Sequence, residues 1–282
     1  MTSAVLHIVA TPIGNMEDIT LRALKVLASV EFIAAEDTRH TRALLSHHGI
    51  DTALMALHEH NEEKAAEAIL ARLQQGQSVA LVSDAGTPLL SDPGYRLVRL
   101  VAGHAIPVVA IPGPSAITAA LSISGLATDR FAFEGFVPQK SVARLAWLKS
   151  LSDERRSLVL FESSHRIEAS LQDMVAAFGA SRPAAICREM TKQFETVLRG
   201  TLTELHQAVS TDANQRKGEF VVIVAGAERD QSADLTQAIQ LGRALQPYLT
   251  TSQAARVAAK IHPVSRREIY DQLQQDSREP DS

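Results

Sequence analysis

Apolar residues in the first half of the chain fall into short blocks: Val5 to Ala10, Phe32 to Ala35, Leu54 to Leu57, Val79 to Val82 and Pro107 to Ile111. Near-continuous apolar runs of this length are expected of strands covered on both faces, as in a parallel sheet. A polar loop follows each block, and a stretch of helical spacing follows each loop. These stretches run from Asp18 to Ala28, through the segment closed by Gly49, from Glu62 to Gln75, from Tyr95 to Ala102 and from Ala116 to Ser124. Gly76, Gly103 and Gly125 stop the later ones, and Asp18 or Thr20 can cap the first. Repeated strand, loop and helix units predict a parallel sheet, because each crossover helix returns the chain to the same edge. All the loops then face one way.

The pattern changes after Thr128. Arg130 to Phe136 alternates large apolar residues, and a basic stretch with Lys140, Arg144 and Lys149 follows. Strands are expected at Ser157 to Phe161, Ala184 to Cys187, Glu195 to Leu198 and Phe220 to Ala225, with a helix from Ser164 to Phe178. Arg199-Gly200 and Lys217-Gly218 read as turns. A polar linker, Ala227 to Ala233, leads to a helical tail with helices at Thr251 to Ile261 and Ser265 to Leu273. The expectation is therefore an N-terminal parallel α/β domain over 1–125, a mixed-sheet α/β domain over 126–228 and a basic helical tail over 229–282.

Composition narrows the class. The chain has 282 residues, 45% of them apolar, enough for packed cores in two medium domains. Cys187 is the only cysteine, which excludes an internal disulfide and fits a reducing cytosol. No apolar run reaches the roughly 18 residues of a membrane span, and Met1 to Leu6 lacks the marks of a signal peptide, so a cytoplasmic protein is expected. A net charge of -4 excludes a generally basic coat but leaves room for local basic surfaces.

The polar loops carry the candidate chemistry, because open α/β sheets hold ligands at the carboxyl ends of their strands. Asp84 and Asp92 sit in one loop beside Gly86 and Gly94, either as ligand contacts or as turn and cap residues. There is no Gly-x-Gly and no Gly-Lys-Ser/Thr, so the usual phosphate cradles are absent. A ligand with adenosine and no phosphate, such as S-adenosylmethionine, suits such loops.

Thr11-Pro-Ile-Gly-Asn15, Ala35-Glu-Asp-Thr-Arg-His-Thr41, Leu57-His-Glu-His-Asn61, Ser83-Asp-Ala-Gly-Thr-Pro88, Ser91-Asp-Pro-Gly94, Ile111-Pro-Gly-Pro-Ser-Ala116 and Phe133-Glu-Gly-Phe136 stand in order along the chain. Together they resemble the small-subunit rRNA cytidine 2′-O-methyltransferases, of the tetrapyrrole-methylase-like class. Glu162-Ser-Ser-His-Arg166, Arg188-Glu-Met-Thr-Lys192 and Leu198-Arg-Gly-Thr201 extend the resemblance, which runs from about Leu6 to Tyr270. It implies two α/β domains with a cofactor cleft between them, a homodimer, and methylation of a cytidine ribose in the decoding region of 16S rRNA, free or in the small subunit. It also implies S-adenosylmethionine contacts from Pro12, Gly14, Asp84, Gly86, Thr87, Asp92, Gly113, Ser115, Ala116 and Phe136. His262-Pro263 departs from the Thr-Gly often found at that turn.

Methyl transfer to a hydroxyl is an in-line displacement helped by a base. Glu36, Asp37, His58, Glu59 and His60 are the candidates, although Asp37 could instead cap a helix and His60 could bond backbone. His58-x-His60 lacks a third ligand, and transfer from a sulfonium needs no metal, so no metal site is expected. Arg39, Lys140, Arg144, Arg166, Arg188, Lys192, Arg256, Lys260, Arg266 and Arg267 are candidates for RNA phosphate, with many of them expected to be merely solvated. Two other readings stay open: a tetrapyrrole-precursor methylase of the same fold, and an RNA-binding protein without catalysis.

Overall fold

A computed structural model describes residues 4–228 and 231–276. It comprises two compact units, Met1–Ala227 and Glu228–Ser282.

The first unit contains two five-stranded sheets. Strands β1 (Leu6–Val9), β2 (Phe32–Ala35), β3 (Ala53–Ala56), β4 (Val79–Val82) and β5 (Val108–Ile111) lie in the order β3-β2-β4-β1-β5, all parallel. Helices α1 (Leu21–Ser29) and α2 (Thr38–His47) cover one face, and α3 (Glu62–Gln74) and α4 (Tyr95–Ala102) the other. The two-residue period of a strand divides the apolar runs between the faces. Phe32, Ala34, Val79 and Leu81 pack under α3 and α4, while Ile33, Ala35, Ala80 and Val82 pack under α1 and α2. Thr20, not Asp18, caps α1, its hydroxyl accepting from Ala23 N at 3.1 Å.

Helix α5 (Ala116–Ser124) behaves differently from the crossover helix that the repeating pattern suggests. Its buried Ile117, Ala120 and Leu121 pack with Val159, Cys187, Val221 and Ile223 of the second sheet and with Met190 of the loop that follows Arg188. Arg199 of that sheet donates to the carbonyls of Ile123 and Ser124, satisfying orphan acceptors at the end of α5.

The second sheet is mixed. Strands β6 (Phe131–Phe136), β7 (Ser157–Ser163), β8 (Pro183–Arg188), β9 (Thr196–Thr201) and β10 (Glu219–Val224) lie in the order β6-β7-β10-β8-β9. Only β6 and β7 pair in parallel, with a bulge between Phe133 and Gly135. Leu158, Leu160, Ile186 and Val222 face α6 (Ser141–Ser150), α7 (Ile167–Phe178) and α8 (Leu202–Thr211), and the alternate residues face α5. Arg199-Gly200 is not a turn but part of β9, opposite Ala185 and Ala184. The strand passes straight into α8 through Thr201, which forms a capping box with Glu204.

The second unit is a bundle of α9 (Gln231–Leu245), α10 (Thr251–Ile261) and α11 (Arg266–Asp276). Ala238, Ala254, Ala255, Ala258, Ile269 and Leu273 form its centre, small side chains allowing close helix approach. The expected linker is shorter than read, since α9 begins at Gln231; Arg229 and Asp230 lie outside the described residues.

Candidate active site

The crevice of the parallel sheet lies between β1 and β4, where the crossovers diverge to opposite faces. There the loops after the two strands pair with each other: Thr11 N donates to Gly86 O at 2.9 Å and Gly86 N to Thr11 O at 3.0 Å. Beyond this bridge a cavity of about 580 Å³ opens, with walls from both sheets. Its size is that of a small-molecule site.

Loop ends of the first sheet contribute Glu36 after β2, Asp84, Gly86, Thr87 and Asp92 after β4, and Ser115 and Ala116 at the start of α5. Eight of the sequence-derived residues thus meet in one wall, Phe136 from β6 being the eighth. Ile117, Phe136, Phe161 and Met190 supply apolar surface, the rings of Phe136 and Phe161 lying 5.4 Å apart.

Charge is one-sided. Glu36, Asp84, Asp92, Glu162 and Glu219 line the cavity, and among the described residues no Lys, Arg or His does. Arg166 answers Glu162 at 2.7 Å and Lys192 answers Glu219 at 2.9 Å. Asp84 accepts from Asp37 N at 2.9 Å. Burial raises the Asp92 carboxyl to about 6, with the nearby Asp84 charge adding to it and a Ser83 hydrogen bond opposing it. Burial also raises Glu36, with Asp92 and Asp84 pushing in the same direction. These are the signs of carboxylates that lack a cation.

The loops facing the cavity hold their backbone under strain. Leu89 and Ser91 have φ of 74° and 69°, and Glu189 and Thr191 have φ of 50° and 64°. Such conformations persist when surrounding contacts over-determine them, and they concentrate at functional sites.

Several candidates stand outside the cavity wall. Pro12 is buried behind it, and Gly113 packs on Ala10, where an added Cβ would come within 3.0 Å of the Ala10 Cβ. Gly14 meets the second sheet instead: its added Cβ would lie 2.5 Å from Lys192 Cγ and 3.0 Å from Met190 O. Asn15 N beside it donates to Thr191 Oγ1 at 3.1 Å. Asp37 caps α2 and binds Arg39 at 2.8 Å, which holds its carboxyl well below the usual range. His58 turns its Nδ1 into a buried position without a hydrogen-bond partner. Glu59 and His60 line a separate polar depression with Glu62, Glu63 and Arg96. No group of three or more potential ligands for a metal ion occurs among the described residues.

Three of the RNA-phosphate candidates are engaged by groups of the protein itself. Arg144 is 4% exposed, donating to Asp173 at 2.7 Å and to Gln139 O at 3.3 Å. Arg188 is buried and donates to Lys217 O at 2.6 Å and Phe194 O at 3.0 Å. Arg166 is committed to Glu162. Lys192 bridges Glu189 and Glu219, and Arg39 is exposed but paired. Lys140 is exposed, as are Arg256, Lys260, Arg266 and Arg267 of the second unit. Arg144→Leu is therefore expected to lower stability by about 3 kcal/mol, by leaving Asp173 without its counter-ion and with only the Ser141 hydroxyl, and to leave RNA affinity unchanged. Urea unfolding and a filter-binding titration would check both halves.

Sequence reasoning did not place Glu162, Ser163, Ser164, Met190 and Gly218 to Val221 in this cavity. The Glu162 to Arg166 motif was visible, but nothing in the sequence shows that the end of β7 opposes the end of β4.

The Tetrapyrrole (Corrin/Porphyrin) Methylases family model matches residues 5–206. The chain is 52% identical over 269 residues to "Ribosomal RNA small subunit methyltransferase I" of Xylella fastidiosa, covering 95% of this chain and 98% of the relative. It is 51% identical to the Escherichia coli protein of the same name, over 94% of this chain and 93% of that one. Among solved structures, diphthine synthase superposes with a TM-score of 0.60 at 17% identity, covering 79% of this chain and 90% of that one. Uroporphyrin-III-C-methyltransferase from Thermus thermophilus gives 0.56 at 20% identity, over 79% and 94%. The last two likenesses establish the fold alone.

Proposed function

The chain belongs to the tetrapyrrole methylase family and, within it, to the small-subunit rRNA methyltransferases I, and from that premise we propose that it methylates the 2′-oxygen of a cytidine ribose in 16S rRNA. The methyl donor is S-adenosylmethionine. The observation that carries the donor is the cavity wall, in which three carboxylates without cationic partners stand beside the Phe136 and Phe161 rings. A sulfonium and an ammonium meet the carboxylates, and an adenine meets the apolar wall; a pyrophosphate would meet only negative charge.

When bound, the cofactor supplies an electrophilic methyl group on a positively charged sulfur. Asp84 and Asp92 hold positive charge, while Gly86, Thr87, Ser115 and Ala116 offer backbone and hydroxyl groups to the cofactor's polar edges. Pro12 and Gly113 support this wall from behind, and Gly14 sets the close approach of the loop after β1 to the second sheet. Glu36 alone among the five base candidates lines the cavity, so its carboxylate is assigned the proton of the ribose hydroxyl. Its raised affinity for protons strengthens it as a base.

Exposed Arg256, Lys260, Arg266 and Arg267 on α10 and α11 give RNA phosphate a place to bind, and Lys140 of the first unit is a separate exposed cation. Replacing all four tail residues with Ala is expected to weaken RNA binding and reduce the salt slope by up to about 3, with the turnover at saturating RNA retained. A salt series of RNA titrations checks it. The family resemblance supports a homodimer, and a lone cysteine fits a cytoplasmic setting.

Labelled S-adenosylmethionine, offered with 16S rRNA, with small subunits and with a tetrapyrrole precursor, tests the whole reading. Label on a cytidine 2′-oxygen after nuclease digestion and mass spectrometry is the expected result. Label on the tetrapyrrole alone would overturn the RNA acceptor.

A further inference from the structure

The acidity of the cavity exceeds what its partners neutralise. Of its five lining carboxylates, Glu162 is met by Arg166 and Glu219 by Lys192. Glu36, Asp84 and Asp92 are in no ion pair among the described residues; Asp84 has the Asp37 amide and Asp92 the Ser83 hydroxyl. A cavity of about 580 Å³ is roughly 10 Å across if compact, comparable to a Debye length in physiological salt. A charge anywhere inside therefore feels the cluster, and no lining cation cancels it.

We infer that this wall binds the sulfonium cofactor in preference to the neutral thioether produced by transfer, so that the reaction itself weakens the hold on its product. The inference rests on the assignment of S-adenosylmethionine as donor. In the transfer, the methyl carbon's bond to sulfur breaks with its electron pair left on sulfur. A bond from the ribose oxygen to that carbon forms, and the hydroxyl proton passes to Glu36. Sulfur thereby loses its positive charge, and once Glu36 has returned its proton to solvent the carboxylates lack the attraction that balanced their mutual repulsion. Adenosine and amino acid portions are the same before and after, so their contacts contribute equally to both forms.

The charged groups around Asp92 all bear on this balance. Glu36 and Asp37 approach from the loop after β2, and Asp84 from the start of its own loop. Glu62 at the head of α3 accepts from Gly94 N and Arg96 N at 2.9 Å, with Arg96 also 3.5 Å from Glu63. The Glu162–Arg166 and Lys192–Glu219 pairs face the cavity from the second sheet. Asp92, raised to about 6, changes its charge in the accessible pH range, and Glu36 is raised in the same direction. Protonation at pH 5 removes one attractive charge, worth on the order of a tenfold change in affinity for a cation.

Calorimetric titration of the full chain with S-adenosylmethionine, S-adenosylhomocysteine and the amine analogue sinefungin, from pH 5 to pH 8, tests this directly. The ratio of affinities for the sulfonium over the thioether is expected to exceed one at pH 8 and to fall on the order of tenfold by pH 5. Sinefungin, which carries an ammonium in place of the sulfonium, is expected to follow the cation. Asp92→Asn is expected to reduce the ratio at pH 8, and the unaltered chain's pH series stands independently should that variant fold poorly. Near pH 6, binding of the sulfonium should release protons, detected by repeating the titration in buffers of different ionisation enthalpy. Binding of both forms with a ratio that ignores pH, or tighter thioether binding at pH 8, overturns the inference and leaves the cofactor assignment standing. Binding of neither form overturns both.

Discussion

Glu162→Ala is expected to lower the unfolding free energy by about 4 kcal/mol, the range found when one partner of a buried ion pair is removed. The Glu162 side chain is 0% exposed. It accepts from Arg166 Nε at 2.9 Å and Nη2 at 2.7 Å, from Ser163 N at 2.7 Å and from the Ser170 hydroxyl. Truncation leaves a guanidinium that is 21% exposed without its counter-ion and strands the Ser170 hydroxyl. Gln at the same position keeps an acceptor and should cost less than Ala. Glu162→Ala/Arg166→Met should recover part of the loss, because a neutral pair leaves no charge in the core. A denaturant series on the three variants would decide the matter: a loss below about 1 kcal/mol for Glu162→Ala means that relaxation or water satisfies Arg166.

Gly14→Val should abolish most turnover while leaving the two cores intact. A side chain at position 14 points into Lys192, Thr191 and the Met190 carbonyl. Lys192 has a flexible end, but the backbone oxygen at 3.0 Å belongs to a loop already held at positive φ. The loop after β1 must therefore withdraw from the second sheet, and Asn15 loses its bond to Thr191. Displacement of a catalytic wall by about 1 Å commonly costs on the order of 100-fold in rate. Single-turnover methylation should fall by that order, with the denaturation midpoint moving far less. Equal losses in rate and stability would instead assign Gly14 to folding.

The first sheet was legible because its strands are covered on both faces and its helices end in Gly. Apolar runs such as Val79 to Val82 have few other interpretations. The destination of α5 was not, since an apolar helix of this composition fits either sheet. α6 and α8 escaped notice for another reason: β9 enters α8 with no intervening turn, and the capping box at Thr201 is only four residues long. Within the site, the Asp84 to Asp92 loop was recognisable from its residue types, as was Glu36. The acid on the opposite wall was not, because pairing between sheets is a long-range property. Arg144 and Arg188 show the converse limit: a cation's residue type does not reveal whether solvent or Asp173 surrounds it.

Helix α5 begins in the cavity wall at Ser115 and Ala116, yet its body is packed against β7, β8 and β10 and its end is held by Arg199. It belongs to the second core, and the four residues 112–115 tie it to β5 of the first sheet. Any swing of one sheet away from the other is then absorbed by that short link and by the strained 86–94 and 189–191 loops, while α5 moves with the second sheet. Backbone amides of α5 should accordingly exchange with solvent deuterium far more slowly than those of the two loops.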